Sequence, residues 1–211
     1  IDMDDICVSN SNRQLHTVQQ SIGHSKTQVM AERLQAINPL LQITVVDDFL
    51  DTDNLAAYLG PQHDVVIDAI DAASVKAALV AYCRARRIRL VMAGSAGGKS
   101  DPTRVMVADL GKTVSDPLLA KVRQQLYRRH NFARSNKRSF GVDAVFSTEQ
   151  AVFPKPDGEV CQQKSAMVDG VKLDCSGGFG AATMLTGTIG FVAAEKAIKR
   201  YLQSAASTAA D

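Results

Sequence analysis

The sequence lacks the patterns that mark several common classes of enzyme and metalloprotein. Its four cysteines include no C-x-x-C pair, and neither an H-E-x-x-H motif nor a serine nucleophile elbow is present. These absences disfavour a structural zinc site, a thioredoxin-like redox pair, a zinc protease and a serine hydrolase. The cysteine spacing also gives no secreted disulfide framework, so we expect a reducing cytoplasm.

A G-x-G-x-x-G dinucleotide turn is missing as well. The two glycine-rich runs, at 94–98 and 177–180, follow the wrong elements for it. The run at 94–98 follows a predicted strand, where glycine usually allows a tight approach of backbone to a ligand or neighbouring strand. We also consider this run as a floor for an acyl group. A nicotinamide oxidoreductase stays open as an alternative function.

Acidic residues are absent from one long stretch, between Asp116 and Asp143. Seven lysines and arginines lie in that stretch, whereas the whole chain of 211 residues has a net charge of only +2. This asymmetry is typical of a surface that contacts a polyanion, although a solvated helix and loop would also account for it. The basic residues are Lys121, Arg123, Arg128, Arg129, Arg134, Lys137 and Arg138.

The pattern of apolar residues predicts alternating helices and strands. Ser25 is typical of a helix N-cap, and Pro39 closes the helix that follows it. Strands are predicted at 42–46, 64–70, 89–93, 104–109 and 142–146, and helices at 26–37, 52–59, 74–86 and 117–130. This order predicts a doubly wound, Rossmann-like α/β fold with a mostly parallel sheet, a C-terminal extension and a long buried helix.

Residues 179–194 are almost uncharged. A membrane span needs about 20 apolar residues, so a helix buried against the sheet explains the segment better. Peripheral membrane association stays open. We predict a nucleotide-binding core of residues 1–110, a substrate-side extension of residues 111–202 and a frayed tail of residues 203–211.

Polar residues near the start of the chain form a set suited to a nucleoside triphosphate. A carboxylate can accept ribose hydroxyls, arginine and lysine can neutralise phosphates, and a second carboxylate can hold Mg²⁺. Asp71 is the last residue of the segment IDAID at 67–71, and it directly follows the strand that we predict at 64–70. The candidate residues are Asp2, Asn10, Arg13, Gln14, Lys26 and Asp71.

The spacing of these residues resembles that of the ubiquitin-activating-type adenylating family. The shared pattern is IDxDxxxxSNxxRQ, then GxxK, then a strand that ends in DAxD. The resemblance implies that Asp2 binds ribose, that Asn10, Arg13 and Lys26 hold phosphates, with Gln14 beside them, and that Asp71 lies at the metal. The implied ligands are ATP and Mg²⁺, and Arg13, Lys26 and Asp71 are the implied catalytic residues.

Further segments resemble the branch of this family that dehydrates threonylcarbamoyladenosine in tRNA. They are MDDICVSNSNRQ, AGSAGGKSDPTR, GVDAVFSTE and LDCSGGFGAATM, and the likeness extends to about residue 201. The resemblance implies an ATP-dependent cyclase with tRNA as its substrate. It also places a strand and a Gly-rich loop before Ile1, so we expect this chain to be a fragment that binds ATP poorly by itself.

The family also suggests partners and alternatives. Relatives are homodimers, so the resemblance implies a homodimer here, and it also implies a cysteine desulfurase or sulfur acceptor as a further partner. Cys175, in the glycine-rich DCSGGFG, is a candidate reactive thiol because a helix is predicted to begin after it. Sulfur-carrier adenylyltransferases commonly carry C-x-x-C zinc pairs, which are absent here. That function and a non-catalytic tRNA-binding or sulfur-transfer scaffold stay as alternatives.

Overall fold

The structure is a computed structural model that describes residues 1–134, 139–154, 160–161 and 180–208. The chain divides into two compact units, Ile1–Asp51 and Thr52–Asp211. The division predicted at residues 110 and 202 stays a prediction. Within the described parts of the chain, no helix is long and apolar enough to cross a membrane.

The first unit contains one α-helix, α1 (Lys26–Ile37), which begins where the sequence predicts. The Ser25 hydroxyl accepts a hydrogen bond from the Gln28 amide (3.4 Å), so it satisfies one of the free N–H groups of the first turn. The apolar stripe of α1 is not buried, and Ile37 is 72% exposed.

The strand predicted at 42–46 is wrong, because these residues have no strand conformation in the structure. A strand requires a ladder of hydrogen bonds with a neighbouring strand. Here the Asp2 amide donates to the Val46 carbonyl (3.2 Å), which is a single contact and not a ladder. A β-branched apolar run therefore marks a segment with strand propensity, but pairing decides whether the strand forms.

The second unit is built on a four-stranded sheet in the order β1-β2-β4-β3. Its strands are β1 (Val65–Asp68), β2 (Arg89–Ala93), β3 (Val105–Asp109) and β4 (Val142–Ser147). The pairs β1–β2 and β2–β4 are parallel, whereas β3 runs antiparallel to β4 at the edge. All four strands lie within a few residues of their predicted positions, which confirms the mostly parallel α/β fold.

Helices cover both faces of this sheet. The helices α2 (Leu55–Tyr58), α3 (Ala73–Arg86) and α4 (Pro117–Arg129) follow their predicted segments. Helix α3 packs against α4 and β2. On the opposite face, Val91 and Val145 pack against Leu185 and Ile189 of helix α5 (Thr183–Thr208). Successive side chains of a strand face opposite sides of the sheet, so the helices on the two faces together bury both sets of side chains. Parallel sheets are usually covered on both faces in this way.

A two-stranded antiparallel ribbon, β5 (Phe153–Pro154) with β6 (Val160–Cys161), follows the sheet. The segment PKPDGE at 154–159, whose prolines and Asp-Gly pair predict a turn, falls mostly outside the described residues. The predicted helix against the sheet is confirmed from Thr183 onward, but only one face of it is buried: Leu185 and Ile189 pack on the sheet, whereas Phe191 is 78% exposed.

The glycine run after β2 makes the tight approach that the sequence indicates. The Gly94 amide donates to the Val145 carbonyl (2.8 Å). A Cβ atom at Gly94 would lie 2.4 Å from an Asp116 carboxylate oxygen and 3.0 Å from the Phe146 Cβ. The backbone here therefore has no room for a side chain.

We expect Gly94→Ala to lower the free energy of unfolding by about 1–3 kcal/mol, because the added methyl group overlaps Asp116. Urea unfolding measures the change. Gly190→Ala is the matched control: Gly190 lies in α5 with no atom near its missing Cβ, so alanine should stabilise by about 0.5–1 kcal/mol. Equal stability of Gly94→Ala and the native chain would contradict the steric account.

Candidate functional site

A closed loop holds the predicted phosphate-binding residues of the first unit. The residues that flank the loop are joined by backbone hydrogen bonds. The Ile6 amide donates to the His24 carbonyl (2.9 Å), and the Gly23 amide donates to the Ile6 carbonyl (2.8 Å). Gly23 has φ +84°, which favours glycine at this turn. Backbone pairing therefore brings Asp4 and Lys26, far apart in sequence, to the base of the same loop.

Asn10 and Arg13 are held by contacts inside this loop. The buried Asn10 accepts a hydrogen bond from the Cys7 amide (3.1 Å) and thereby closes the first turn. The Arg13 guanidinium donates to the Ser9 carbonyl (2.9 Å) and to Asn12 Oδ1 (2.8 Å). Both side chains thus have defined positions before any ligand binds.

Lys26 forms an ion pair with Asp4, with 2.7 Å between Nζ and Oδ2. Its side chain is 13% exposed, whereas that of Asp4 is 55% exposed. Burial and the nearby Lys26 ammonium lower the pKa of His16, and Asp2 opposes that shift. Asp2, His16 and Lys26 therefore lie within electrostatic range of one another. The structure thus groups the predicted Asp2 and Lys26 with a histidine that was not among the predicted site residues.

Three neighbouring polar atoms in this loop have no hydrogen-bond partner among the described residues. They are Gln14 Oε1, His16 Nε2 and Thr17 Oγ1, and all three are buried. Leaving such groups unpaired costs free energy, so native proteins rarely bury them without a reason. Because they adjoin Arg13 and Lys26, they fit a polar ligand such as a nucleotide. The position of His16 two residues after Arg13-Gln14 was the available sequence signal.

In the second unit, the carboxyl end of β1 carries a fully buried ion pair. Lys76 Nζ lies 3.0 Å from Asp68 Oδ1, and both side chains are completely inaccessible. Asp68 also accepts the Ile70 amide (2.9 Å), but its other carboxylate oxygen has no described partner. Burial raises the pKa of Asp68 and lowers that of Lys76, and in each case the partner opposes the shift.

Asp71, the predicted metal ligand, is exposed in the short connection between the end of β1 and the start of α3. Its charge acts on Lys76 to raise the pKa of the ammonium, in opposition to burial. Among the described residues, no cluster of three or more His, Cys, Asp or Glu side chains could hold a metal by itself. A single carboxylate fits Mg²⁺ bound with a substrate phosphate, since Mg²⁺ keeps several waters. The metal role of Asp71 therefore stays a prediction.

A second buried lysine organises the glycine run beside this edge. Lys99 donates to the carbonyls of Ser147 (3.0 Å) and Ser115 (3.2 Å) and lies 4.0 Å from Asp116. Asp116 in turn accepts the amides of Ser95 (2.8 Å) and Leu119 (2.9 Å). This network fixes residues 94–99 to the start of α4, where we considered a floor for an acyl group.

Sequence reasoning missed both buried lysines. Lys76 shares one helical face with Val80 and Cys83, both buried, and a lysine on an apolar face was the available signal. Lys99 lies in a loop and carried no such signal. The candidate thiol Cys175 lies outside the described residues.

The chain resembles known proteins along almost its whole length. A family model described as the ThiF family matches residues 1–210. The tRNA threonylcarbamoyladenosine dehydratase of Escherichia coli K12 is 50% identical over 98% of this chain and 77% of its own length. The enzyme of the same name from Haemophilus influenzae Rd is 47% identical over 96% of this chain and 75% of its own length.

A solved structure of the E. coli tRNA N6-threonylcarbamoyladenosine dehydratase in complex with ATP has a similar fold. It superposes with a TM-score of 0.81 at 46% identity, over 98% of this chain and 75% of that chain.

We expect Lys76→Met to lower the free energy of unfolding by about 3–5 kcal/mol, because it leaves the Asp68 carboxylate buried without its counter-charge. Urea unfolding measures the loss. The double variant Asp68→Asn with Lys76→Met removes both charges and should recover most of it. A single variant as stable as the native chain would show that the pair carries no such charge.

His16 should make stability depend on pH. Because its pKa in the folded chain is below the ordinary value of 6.5, its stabilising contribution is present above that value and lost as the pH falls through the folded pKa. As the pH is lowered from about 8 to about 5, the urea concentration at the midpoint of unfolding should therefore fall less steeply in His16→Gln than in the native chain. His24→Gln, which changes an exposed histidine of the same unit, is the control and should keep the native slope.

Proposed function

Because the chain belongs to the ThiF family, we propose that it is an ATP-dependent enzyme that dehydrates threonylcarbamoyladenosine in tRNA. The observation that carries this proposal is the likeness to a dehydratase of that name over 98% of the chain at 50% identity. The related ATP complex supports ATP as the co-substrate. The polar loop at residues 9–26 supplies residues of the required chemistry.

The chemistry begins at the carboxylate of the modified nucleoside. Its oxygen attacks the α-phosphate of ATP, which forms an acyl adenylate and releases pyrophosphate. The carbamoyl group of the same nucleoside then attacks the activated acyl carbon, and AMP leaves as the ring closes. The nucleoside has then lost one water overall, and the water's oxygen leaves on AMP.

Each candidate residue of the first unit has a proposed role. Arg13 and Lys26 offset the negative charge that develops on the phosphates, an electrostatic contribution that dominates much phosphoryl chemistry. Asn10 and Gln14 donate hydrogen bonds to phosphate oxygens, and Asp2 accepts the ribose hydroxyls. The ion pair of Lys26 with Asp4 supports this arrangement, since it holds the ammonium group in place.

Asp71 is the proposed ligand of Mg²⁺, which would supply charge neutralisation to the phosphates of bound ATP. The carboxylate is exposed directly after a strand of the parallel sheet, and ligands of such sheets bind beyond the carboxyl ends of the strands. The buried pair of Asp68 and Lys76 anchors the turn that leads to Asp71.

We also propose a homodimer in the cytoplasm, where the tRNA substrate is found, together with a reactive Cys175 and a cysteine desulfurase or sulfur acceptor as partner. These parts of the proposal follow from the family resemblance. Size-exclusion chromatography with light scattering tests the dimer, and thiol alkylation followed by mass spectrometry tests the reactivity of Cys175.

The function is tested by incubating the complete protein with ATP, Mg²⁺ and tRNA that carries threonylcarbamoyladenosine. AMP release and the mass of the nucleoside are followed together. AMP formation with the loss of one water from the nucleoside supports the dehydratase. AMP formed only when a sulfur-carrier protein is added assigns the chain to that alternative, and no AMP in either case leaves a scaffold.

Arg13→Ala and Asp71→Ala should each lower the rate of AMP release by about 100- to 1,000-fold, because each removes one charged group from the transferred phosphate or its metal. Circular dichroism and urea unfolding should match the native protein, since both side chains lie outside the apolar core. Arg33→Ala, at an exposed arginine of α1, is the control and should keep full activity. Full activity in Arg13→Ala or Asp71→Ala would contradict the assignment.

A further inference from the structure

Exposed arginines from two helices converge at one end of the second unit. Helix α3 ends at Arg86, strand β2 begins at Arg89, and strand β4 begins at Val142. Helix α4 ends beside them, because His130 and Phe132 line a cavity together with Arg84 and Phe140. We name this surface the arginine edge; its members are Arg84, Arg86, Arg87, Arg128, Arg129 and Arg134, all exposed.

The charge of the arginine edge is not neutralised by neighbouring carboxylates. None of its six arginines forms an ion pair with a carboxylate in the described part of the chain. Asp109, at the end of β3 and paired with the start of β4, already accepts hydrogen bonds from Ser139 (2.5 Å), Phe140 (3.0 Å) and Gly141 (2.9 Å). Such a concentration of one sign repels itself and attracts an external polyanion.

Two members of the arginine edge, Arg84 and Arg87, line a cavity of about 350 Å³. Arg84, Arg87 and Arg89 line its sides, and no described residue in its lining is acidic. Apolar side chains line the rest of the cavity, among them Leu90 and Phe140. The cavity therefore presents positive charge with no acidic side chain in its described lining, which favours a phosphate group.

Aromatic rings hold part of the arginine edge in place. The Arg84 guanidinium lies 5.0 Å from the centre of the Phe132 ring, and the Arg134 guanidinium lies 5.4 Å from that of Tyr127. Both rings pack edge-on against Phe140, at 5.4 Å and 5.9 Å between centres. Guanidinium planes supported in this way can stack on bases and donate to phosphates.

Helix dipoles account for only part of this surface. Arg84 and Arg86 lie in the last turn of α3, and Arg128 and Arg129 in the last turn of α4, where positive charge is favourable. Arg87 and Arg134 lie beyond the helix ends. Arg87 adopts the left-handed conformation (φ +59°) that favours glycine or asparagine. The backbone conformation therefore gives no reason for an arginine at this position.

The arginine edge lies far from the proposed nucleotide residue of this unit. It adjoins the amino ends of β2 and β4, whereas Asp71 follows the carboxyl end of β1. The five residues of β2 span roughly 13 Å between those ends of the sheet. Binding the phosphates of an ATP at Asp71 therefore does not explain the positive charge of the arginine edge.

We propose that the arginine edge binds the sugar-phosphate backbone of the tRNA substrate at nucleotides away from the one that reacts. This inference rests on the proposed function, because that function supplies a polyanion long enough to span both ends of the sheet. An anionic membrane fits less well, since membrane-binding surfaces expose apolar side chains beside the charges. Here Ile88 and Phe140 are buried, at 8% and 4% exposure.

The test compares the double variant Arg84→Gln with Arg87→Gln against Lys196→Gln with Lys199→Gln. Both pairs lose two positive charges, but the lysines lie on α5, on the opposite face of the sheet. Binding of tRNA to the complete protein is titrated at several salt concentrations. Anionic phospholipid vesicles of phosphatidylglycerol and phosphatidylcholine are titrated in parallel.

The arginine variant should bind tRNA about tenfold more weakly. The slope of the logarithm of its affinity against the logarithm of salt concentration should become shallower by roughly 0.7–0.9 for each lost phosphate contact. Its KM for tRNA should rise by a similar factor while kcat changes by less than about twofold. The lysine variant should bind tRNA as the native protein does. Arg128→Gln with Arg134→Gln provides a second arginine pair if the first is less stable.

Equal tRNA affinity and salt dependence in both arginine variants and the native protein would overturn the inference. Loss of vesicle binding without loss of tRNA binding would also overturn it and would assign the surface to a membrane. An equal loss of tRNA affinity in the lysine variant would overturn it as well, because tRNA binding would then depend on net charge and not on the arginine edge. Failure of the proposed function is distinguishable, because the native protein would then give no dehydrated nucleoside while the binding titration still reports on the arginine edge.

Discussion

The burial of charge at the carboxyl end of the parallel sheet is the constraint on which the second unit depends. Lys76 and Lys99 are both completely buried, and an ammonium group in such a position requires oxygen partners to offset its lost hydration. Lys76 obtains them from Asp68, and Lys99 from the carbonyls of Ser115 and Ser147. Each lysine thereby fixes backbone that lies far from it in the chain.

Asp116 extends this constraint from the sheet to the neighbouring helix. Its carboxylate caps α4 through the Leu119 amide and holds the Ser95 amide, beside the Lys99 ammonium. The space that it occupies is the space a side chain at Gly94 would need. One carboxylate thus links a helix start, a glycine-rich turn and a buried lysine.

The two ends of the sheet carry different chemistry. Carboxylates and buried lysines gather at the carboxyl ends of the strands, where parallel sheets bind ligands. Exposed arginines gather at the amino ends, around the ends of α3 and α4. This polarity suits a proposed enzyme that must bind ATP and a large polyanion together, because the two negatively charged substrates then do not compete for the same cations.

Local signals in the sequence determined most of the elements and the choice of candidate residues. The N-cap Ser25 and the β-branched strands are set by residues close together in the chain, so they can be predicted without a structure. The candidate residues from Asp2 to Asp71 were found through a sequence pattern that resembles a known family. The antiparallel direction of β3, the failure of residues 42–46 to form a strand and the burial of Lys76 required tertiary structure. Each depends on a partner distant in sequence, and pairing and burial are properties of the assembled fold.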